Sequence, residues 1–219
     1  MSDAAAVIER IKRQKIIAIL RGVPESKLGF IAEALVKGGV RAIECTFDHA
    51  RADCVALNGR MIAQLAQIAG EDMDIGAGTV LTPEEARATA EAGGRFIVSP
   101  NVSAQVIGET VRLGLVSIPG AFTPTEIVSA WEAGAHFVKL FPASQMGAPY
   151  IKAVRAPLSH IPLLAVGGVT PENVRELLDA GVCGFGVGSP LLPKAVIEAN
   201  NWAAVTERAR RFMEAVSHH

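Results

Sequence analysis

The chain has 219 residues, half of them hydrophobic, and a formal net charge of -1. This length fits one large domain or two small ones, and a near-neutral charge without a Lys/Arg run excludes the electrostatic footprint of a nucleic-acid or anionic-membrane binder. The cysteines Cys45, Cys54 and Cys183 are odd in number and lack metal-site spacing, so they predict neither disulfides nor a zinc site and favour a cytoplasmic location. We expect small molecules or further copies of the chain as partners.

Residues 1–14 predict an amphipathic, charged N-terminal helix rather than an export signal, and no apolar run approaches membrane-spanning length. No linker or change in composition divides the chain, so we expect one domain over residues 1–219. Residues 217–219 are a possible tail, and no function is assigned to them.

Eight short apolar or β-branched segments follow the first helix and alternate with longer segments of helical periodicity. The strand candidates are residues 15–20, 42–47, 74–80, 95–100, 115–121, 137–142, 162–168 and 184–189. The helical segments, such as 25–39 and 171–181, end in glycine, as helix C-termini commonly do. Continuous apolar strands alternating with helices predict an α/β fold with a parallel sheet, here a (β/α)8 TIM barrel. A doubly wound open sheet is the alternative.

Three Thr-Pro motifs follow strands and predict helix starts at Thr82, Thr123 and Thr170. Threonine suits the N-cap and proline suits the first helical position. In the first two motifs, Glu85 and Glu126 stand three residues after the cap and complete a capping box. We therefore assign these two glutamates no catalysis.

Lys139 lies in the apolar segment His136–Pro142, in alternation with Phe137 and Phe141. Lysine is rarely buried without a partner or a use. Facing into a barrel, it would have a lowered pKa and would be a nucleophile toward carbonyls. The alternative is a structural lysine that is neutralised by a buried carboxylate or reaches the barrel rim.

Glu44 lies in the second strand and shares a face with Thr46. Schiff-base chemistry needs a group that moves protons, and a partly desolvated glutamate suits that role. A plain Glu44–Lys139 ion pair is the alternative.

Polar and glycine-rich segments end three further strands. Thr79 follows Gly76 and Gly78 in the third strand, and its hydroxyl is either a donor to a substrate carboxylate or a local packing or capping group. The last two strands end in glycine-rich turns at 165–169 and 184–190, a common phosphate site in barrels. We expect Gly167, Gly168, Gly188 and Ser189 to bind an anion through their backbone.

The segments AILRG, GAGTVLTPEE, SPN, PGAFTPTE, VKLFPAS, AVGGVTPENV and GVGSPL, in this order, resemble the 2-keto-3-deoxy-6-phosphogluconate and 4-hydroxy-2-oxoglutarate aldolase family. The resemblance spans residues 15–192. It implies a class I pyruvate aldolase, a lyase on a (β/α)8 barrel that acts as a homotrimer in carbohydrate metabolism without a metal or cofactor. Its substrate would be a small 2-keto-4-hydroxy acid.

The resemblance also implies roles for single residues. The Schiff-base lysine matches Lys139, and the general acid/base matches Glu44. Thr79 would contact the pyruvate carboxylate, and Pro100 and Phe141 would wall the pyruvyl pocket. Gly167, Gly168 and Ser189 match phosphate-binding positions.

One position departs from the family pattern. Members specific for phosphogluconate commonly carry Arg four positions after the catalytic glutamate, whereas this chain has Asp48. A carboxylate cannot hold an anion. Either Arg21, at the end of the first strand, supplies the cation, or the preferred substrate differs, with Asp48 as the specificity residue.

Two other classes of function remain open from the residues alone. A phosphate-binding isomerase or epimerase would use the glycine turns, but it would not require Lys139 in a strand. A non-catalytic ligand-binding barrel would fit if Lys139 were a structural ion pair. Metal-dependent chemistry is the least favoured, because His49, His136 and His160 are scattered and lack ligand spacing.

Overall fold

The computed structural model describes residues 3–70 and 72–217. Within these residues the strands are β1 Ile16–Leu20, β2 Ala42–Thr46, β3 Asp74–Gly78, β4 Phe96–Val98, β5 Val116–Ile118, β6 Gly120–Ala121, β7 Val138–Leu140, β8 Leu163–Val166 and β9 Gly184–Val187. The helices are α1 Asp3–Gln14, α2 Leu28–Lys37, α3 Cys54–Ala69, α4 Pro83–Glu91, α5 Ala104–Arg112, α6 Pro124–Glu132, α7 Ala143–Arg155, α8 Val174–Asp179, α9 Lys194–Glu198 and α10 Trp202–Ser217, with a short 3-10 helix at Glu25–Lys27.

All strand pairs are parallel, and their order is β5-β4-β3-β2-β1-β9-β8-β7-β6. The two ends of this order, β5 and β6, are separated in the chain by Pro119 alone, so the sheet closes on itself. The predicted (β/α)8 barrel is confirmed, and the open sheet is excluded.

The fifth predicted strand is divided into β5 and β6. Pro119 has no N–H for the ladder, which interrupts the strand at that residue. Its carbonyl still accepts a hydrogen bond from the Lys139 N–H at 2.9 Å. Residues 116–121 therefore form one strand of the barrel in two parts, and the Pro119 carbonyl binds the backbone at Lys139.

Helix α1 closes the N-terminal end of the barrel. Val7 and Ile11 pack against residues of the barrel interior, including Phe96 and Phe137. Arg10 holds the nearly fully buried Asp74 at the start of β3 through hydrogen bonds of 2.7 and 2.8 Å. With this end filled by side chains, the strands open only toward their C-terminal ends.

Two of the three predicted helix starts are confirmed. Thr82 and Thr123 cap α4 and α6 with complete capping boxes that use Glu85 and Glu126. The start predicted at Thr170 is wrong, because residues 171–173 form a turn and α8 begins at Val174. In this turn the Asn173 Oδ1 accepts a hydrogen bond from the Thr170 N–H at 2.9 Å. This bond stabilises the turn, so the helix does not begin directly after Thr170.

The structure describes only part of the N-terminal helix and of the C-terminal tail that the sequence predicts. Helix α1 begins at Asp3, and Met1 and Ser2 lie outside the described residues. Of the possible tail, Ser217 ends α10, and residues 218 and 219 lie outside the description. Across the described ranges, no helix combines the length and the apolar character that crossing a membrane requires.

Candidate active site

A cavity of about 460 Å³ opens at the C-terminal ends of the strands. It is lined by ten of the eleven residues that the sequence singled out, namely Arg21, Glu44, Thr79, Pro100, Lys139, Phe141, Gly167, Gly168, Gly188 and Ser189. These residues come from seven segments of the chain, and barrel closure brings them together.

Lys139 occupies the middle of β7 and is 6% exposed. Its Nζ lies 4.8 Å from the centroid of the Phe141 ring, and Phe137 fills the barrel below it. Burial lowers the pKa of Lys139, and the positive charge of Arg21 lowers it further, whereas Glu44 raises it. A larger share of the amine is therefore neutral, which is the form that attacks a carbonyl carbon.

Glu44 lies in β2 and is 3% exposed. Its carboxyl group occupies space beside Gly78 in β3, where a Cβ would collide with the Glu44 Oε1, Cδ and Cγ atoms. Burial raises the pKa of Glu44, while the positive charges of Lys139 and Arg21 lower it. A buried carboxyl group with a raised pKa keeps its proton to a higher pH than an exposed one, which suits a group that accepts and returns protons.

Lys139 and Glu44 share the cavity without a salt bridge within 4.0 Å, as judged over the described residues. They nevertheless affect each other's pKa, so their charges lie within electrostatic reach. A structural ion pair would be closed by direct contact. The cavity that both side chains line can receive a small molecule.

Thr79 follows β3 in a left-handed backbone conformation, with a φ of 58°. For a β-branched residue this conformation costs on the order of 1–3 kcal/mol, which the surrounding contacts must offset. Thr79 lines the cavity, and its hydroxyl has no hydrogen-bond partner in the portion of the chain that is described. The hydroxyl is thus available to a ligand.

The two glycine-rich turns present backbone N–H groups on the opposite wall. Gly167 and Gly168 have φ values of 95° and 71°, and a Cβ at Gly168 would collide with Ser144. Over residues 3–70 and 72–217, the N–H groups of Gly167, Gly168, Gly188 and Ser189 donate to no acceptor. Converging free N–H groups form a site for an anion such as a phosphate.

Asp48 is exposed and lines a neighbouring cavity of about 450 Å³ rather than the one that holds Lys139. Its Oδ1 accepts a hydrogen bond from the Ala50 N–H at 3.2 Å, and its carbonyl accepts one from the Arg51 N–H at 3.0 Å. Val23 lines both cavities, so Asp48 is near the site without being in its wall.

The cavity also contains apolar residues that the sequence reasoning missed. Ile19, Val166 and Gly186 lie two residues after Ile17, Leu164 and Gly184, on the same inward face. The two-residue alternation of a strand was the signal that would have found them. Pro190 and Leu192 had no such signal, because they lie after the end of β9 and their placement depends on the course of that loop.

The described residues contain no group of three or more His, Cys, Asp or Glu side chains arranged to hold a metal ion. His49, His136 and His160 lie in separate segments, before α3, before β7 and before β8 respectively.

Several aldolases are among the known proteins that this chain resembles. The family model for KDPG and KHG aldolase matches residues 7–208. The 2-dehydro-3-deoxy-6-phosphogalactonate aldolase of Escherichia coli (strain K12) is 42% identical over 178 residues, which are 80% of this chain and 83% of that protein. A native KDPGal structure has a TM-score of 0.83 at 37% identity and covers 93% of this chain and 94% of its own.

A third relative bears on the chemistry. The crystal structure of KDPG aldolase from Legionella pneumophila, with pyruvate captured at low pH as a covalent carbinolamine intermediate, has a TM-score of 0.80 at 26% identity and covers 90% of this chain and 93% of its own. A carbinolamine is the adduct that an amine and a ketone form before they lose water. By the family match and these identities, the chain belongs to the KDPG and KHG aldolase family.

Proposed function

We propose that the chain cleaves 2-dehydro-3-deoxy-6-phosphogalactonate, or a closely related 2-keto-3-deoxy sugar acid, reversibly to pyruvate and an aldehyde, with Lys139 as the Schiff-base nucleophile. The observation that carries this proposal is a buried lysine and a buried glutamate on one cavity without a salt bridge between them. The proposal rests on the class I aldolase chemistry of the family to which the chain belongs.

The Lys139 amine attacks the C2 ketone of the substrate, and loss of water from the carbinolamine leaves an iminium. Glu44 supplies the proton for the departing water and then removes the proton of the C4 hydroxyl. The C3–C4 electron pair moves to the iminium, which releases the aldehyde and leaves an enamine. Protonation at C3 and hydrolysis of the imine return pyruvate and free Lys139.

The remaining wall residues bind the ends of the substrate. Thr79 donates its hydroxyl to the pyruvyl carboxylate, and Pro100 and Phe141 pack against the pyruvyl group. Arg21 adds positive charge near that end, since it acts on both Glu44 and Lys139.

The phosphate lies against Gly167, Gly168, Gly188 and Ser189. Their free N–H groups support this assignment, because an unpaired donor gains most from a charged acceptor.

The choice of a phosphogalactonate rests on the identity of 42% to the Escherichia coli enzyme named for that substrate. The presence of Asp48 in place of arginine agrees with a preference other than phosphogluconate. A substrate panel tests the choice. Pyruvate release is measured with the 6-phosphorylated and unphosphorylated 2-keto-3-deoxy galactonates and gluconates, and with 4-hydroxy-2-oxoglutarate. A best substrate without phosphate would contradict the role of the glycine turns.

The wider assignments are part of the same proposal. We infer one domain, a homotrimer and a cytoplasmic role in carbohydrate metabolism, all of which the family resemblance supports. Light scattering coupled to size-exclusion chromatography tests the trimer. A mass near 69 kDa, about three times the 23.0 kDa of the chain, is expected, and a monomer mass would contradict it.

The decisive test of the mechanism is covalent capture. Incubation with pyruvate and borohydride should reduce the imine to a stable secondary amine at Lys139, which peptide mass mapping locates. Lys139→Met should take up no label, and Lys152→Met, on the exposed side of α7, should label like the wild type. Label on another lysine, or turnover without any label, would refute the proposed mechanism.

A further inference from the structure

His49 links the loop after β2 to the loop after β3. Its Nε2 lies 2.9 Å from the Thr79 carbonyl oxygen, and its Nδ1 lies 3.4 Å from Glu85 Oε1. The ring stacks on Phe47, with centroids 6.1 Å apart and planes 15° from parallel. Three contacts of different kinds therefore determine the orientation of this ring.

Both groups that face the ring nitrogens are hydrogen-bond acceptors, the Thr79 carbonyl at Nε2 and the Glu85 carboxylate at Nδ1. A hydrogen bond to the Thr79 carbonyl therefore requires the hydrogen on Nε2, and His49 is its donor. Glu85 is itself immobilised, because its Oε2 accepts hydrogen bonds from the Leu81 N–H at 2.6 Å and the Thr82 N–H at 3.2 Å. The N-terminal cap of α4 thus anchors the imidazole.

The residue that receives this hydrogen bond is the one in an unfavourable backbone conformation. Thr79 has a φ of 58°, which a threonine adopts only when neighbouring contacts hold it there. Thr79 lines the cavity of Lys139, whereas His49 itself is not among the residues that line that cavity. Of the three residues that His49 contacts, Thr79 is the one that lines the cavity.

We propose that His49 is a positioning residue that holds the Thr79 carbonyl and so keeps the Thr79 hydroxyl aimed at the carboxylate of the bound 2-keto acid. This inference rests on the proposed function of Lys139 and Thr79. The helix-capping role of Glu85 and the position of Asp48 do not depend on this role of His49. Losing the Nε2 donor should weaken binding of the pyruvyl carboxylate and affect the subsequent bond cleavage less.

The test compares variants that separate the hydrogen bond from ring packing. His49→Phe keeps a ring against Phe47 but has no donor, and His49→Gln has a donor but no ring. The readout is the pyruvate concentration that gives half-maximal borohydride trapping, together with the trapping rate at saturation. His49→Phe should raise that concentration roughly tenfold, the loss expected for one hydrogen bond, and His49→Gln should stay within about threefold of the wild type. His160→Ala, beside Trp131, is the matched histidine control and should change neither value.

A double-mutant cycle tests whether the effect passes through Thr79. In a Thr79→Ala background, which lacks the hydroxyl, His49→Phe should change half-maximal trapping less than twofold. An equal effect in both backgrounds would overturn the inference, as would a His49→Phe variant that binds pyruvate normally. Should His49→Phe fail to fold, His49→Leu takes its place under the same criteria. A wild type that traps no pyruvate at Lys139 would refute the proposed function itself, and this inference with it.

Discussion

Gly78→Ala is the substitution that most directly tests the placement of Glu44. Gly78 lies opposite Thr46 in the β2–β3 ladder, and a methyl group there would occupy the position of the Glu44 carboxyl group. Gly78 does not have a positive φ, so alanine is compatible with the backbone. The collision involves a side chain rather than backbone, and we therefore expect Glu44 to rotate while the barrel still forms.

The expected size of the effect follows from that displacement. A misplacement of about 1 Å can cost roughly 10²-fold in rate, which corresponds to about 2.7 kcal/mol of transition-state stabilisation. Gly78→Ala should therefore lower kcat by roughly 10²-fold, close to the effect of Glu44→Gln, which loses the acid/base group directly. Overpacking should also lower stability by about 1–3 kcal/mol, or roughly 2–12 °C in Tm for a chain of this size.

The assay couples pyruvate release to lactate dehydrogenase and is run beside a thermal melt followed by circular dichroism. Gly59→Ala in α3 is the matched control, because a Cβ there meets no atom within 4 Å. It should leave kcat unchanged and raise stability by about 0.5–1 kcal/mol. A folded Gly78→Ala variant with kcat within twofold of the wild type would show that the position of the Glu44 carboxyl group does not govern turnover.

Two further predictions concern charge. Asp48→Arg should raise kcat/KM for 2-keto-3-deoxy-6-phosphogluconate relative to the wild type's best substrate by at most about tenfold, because Asp48 lines the neighbouring cavity and its charge therefore repels a bound acid by less than the roughly 1–4 kcal/mol of two anions at about 4 Å. An unchanged ratio in a folded variant would exclude Asp48 as a specificity residue and make Arg21 the next position to change. Burial lowers the pKa of His136 from its ordinary value of 6.5, and its Nδ1 accepts a hydrogen bond from the Ser117 N–H at 3.0 Å. The unfolded chain then binds this proton more readily, so the His136 contribution to stability is complete above about pH 6.5 and falls as the pH drops below it. Urea denaturation at several pH values should show a weaker loss of stability on acidification for His136→Asn than for the wild type, and identical pH profiles would contradict this assignment.

The positions of Lys139 and Glu44 show what kind of site information the sequence contains. A charge in an apolar strand is costly unless it is used, so each residue stands out from its neighbours alone. Asp48 stands out equally, as a departure from a family pattern, but its side chain belongs to a turn and a separate cavity. Linear spacing from Glu44 did not reveal this, because β2 ends at Thr46 and the two-residue alternation of the strand no longer determines the direction of the Asp48 side chain.

The sequence alone determined the alternation of apolar strands and helices, and with it the barrel, because periodicity reports which face of each element is buried. It also determined the capping boxes at Thr82 and Thr123, whose contacts are local. Only the tertiary structure decided that Pro119 divides the fifth strand, that Gly78 leaves room for the Glu44 carboxyl group, and that His49 reaches Thr79. The last two contacts join different strands or loops, and their distances depend on how the sheet closes rather than on the spacing of residues along the chain.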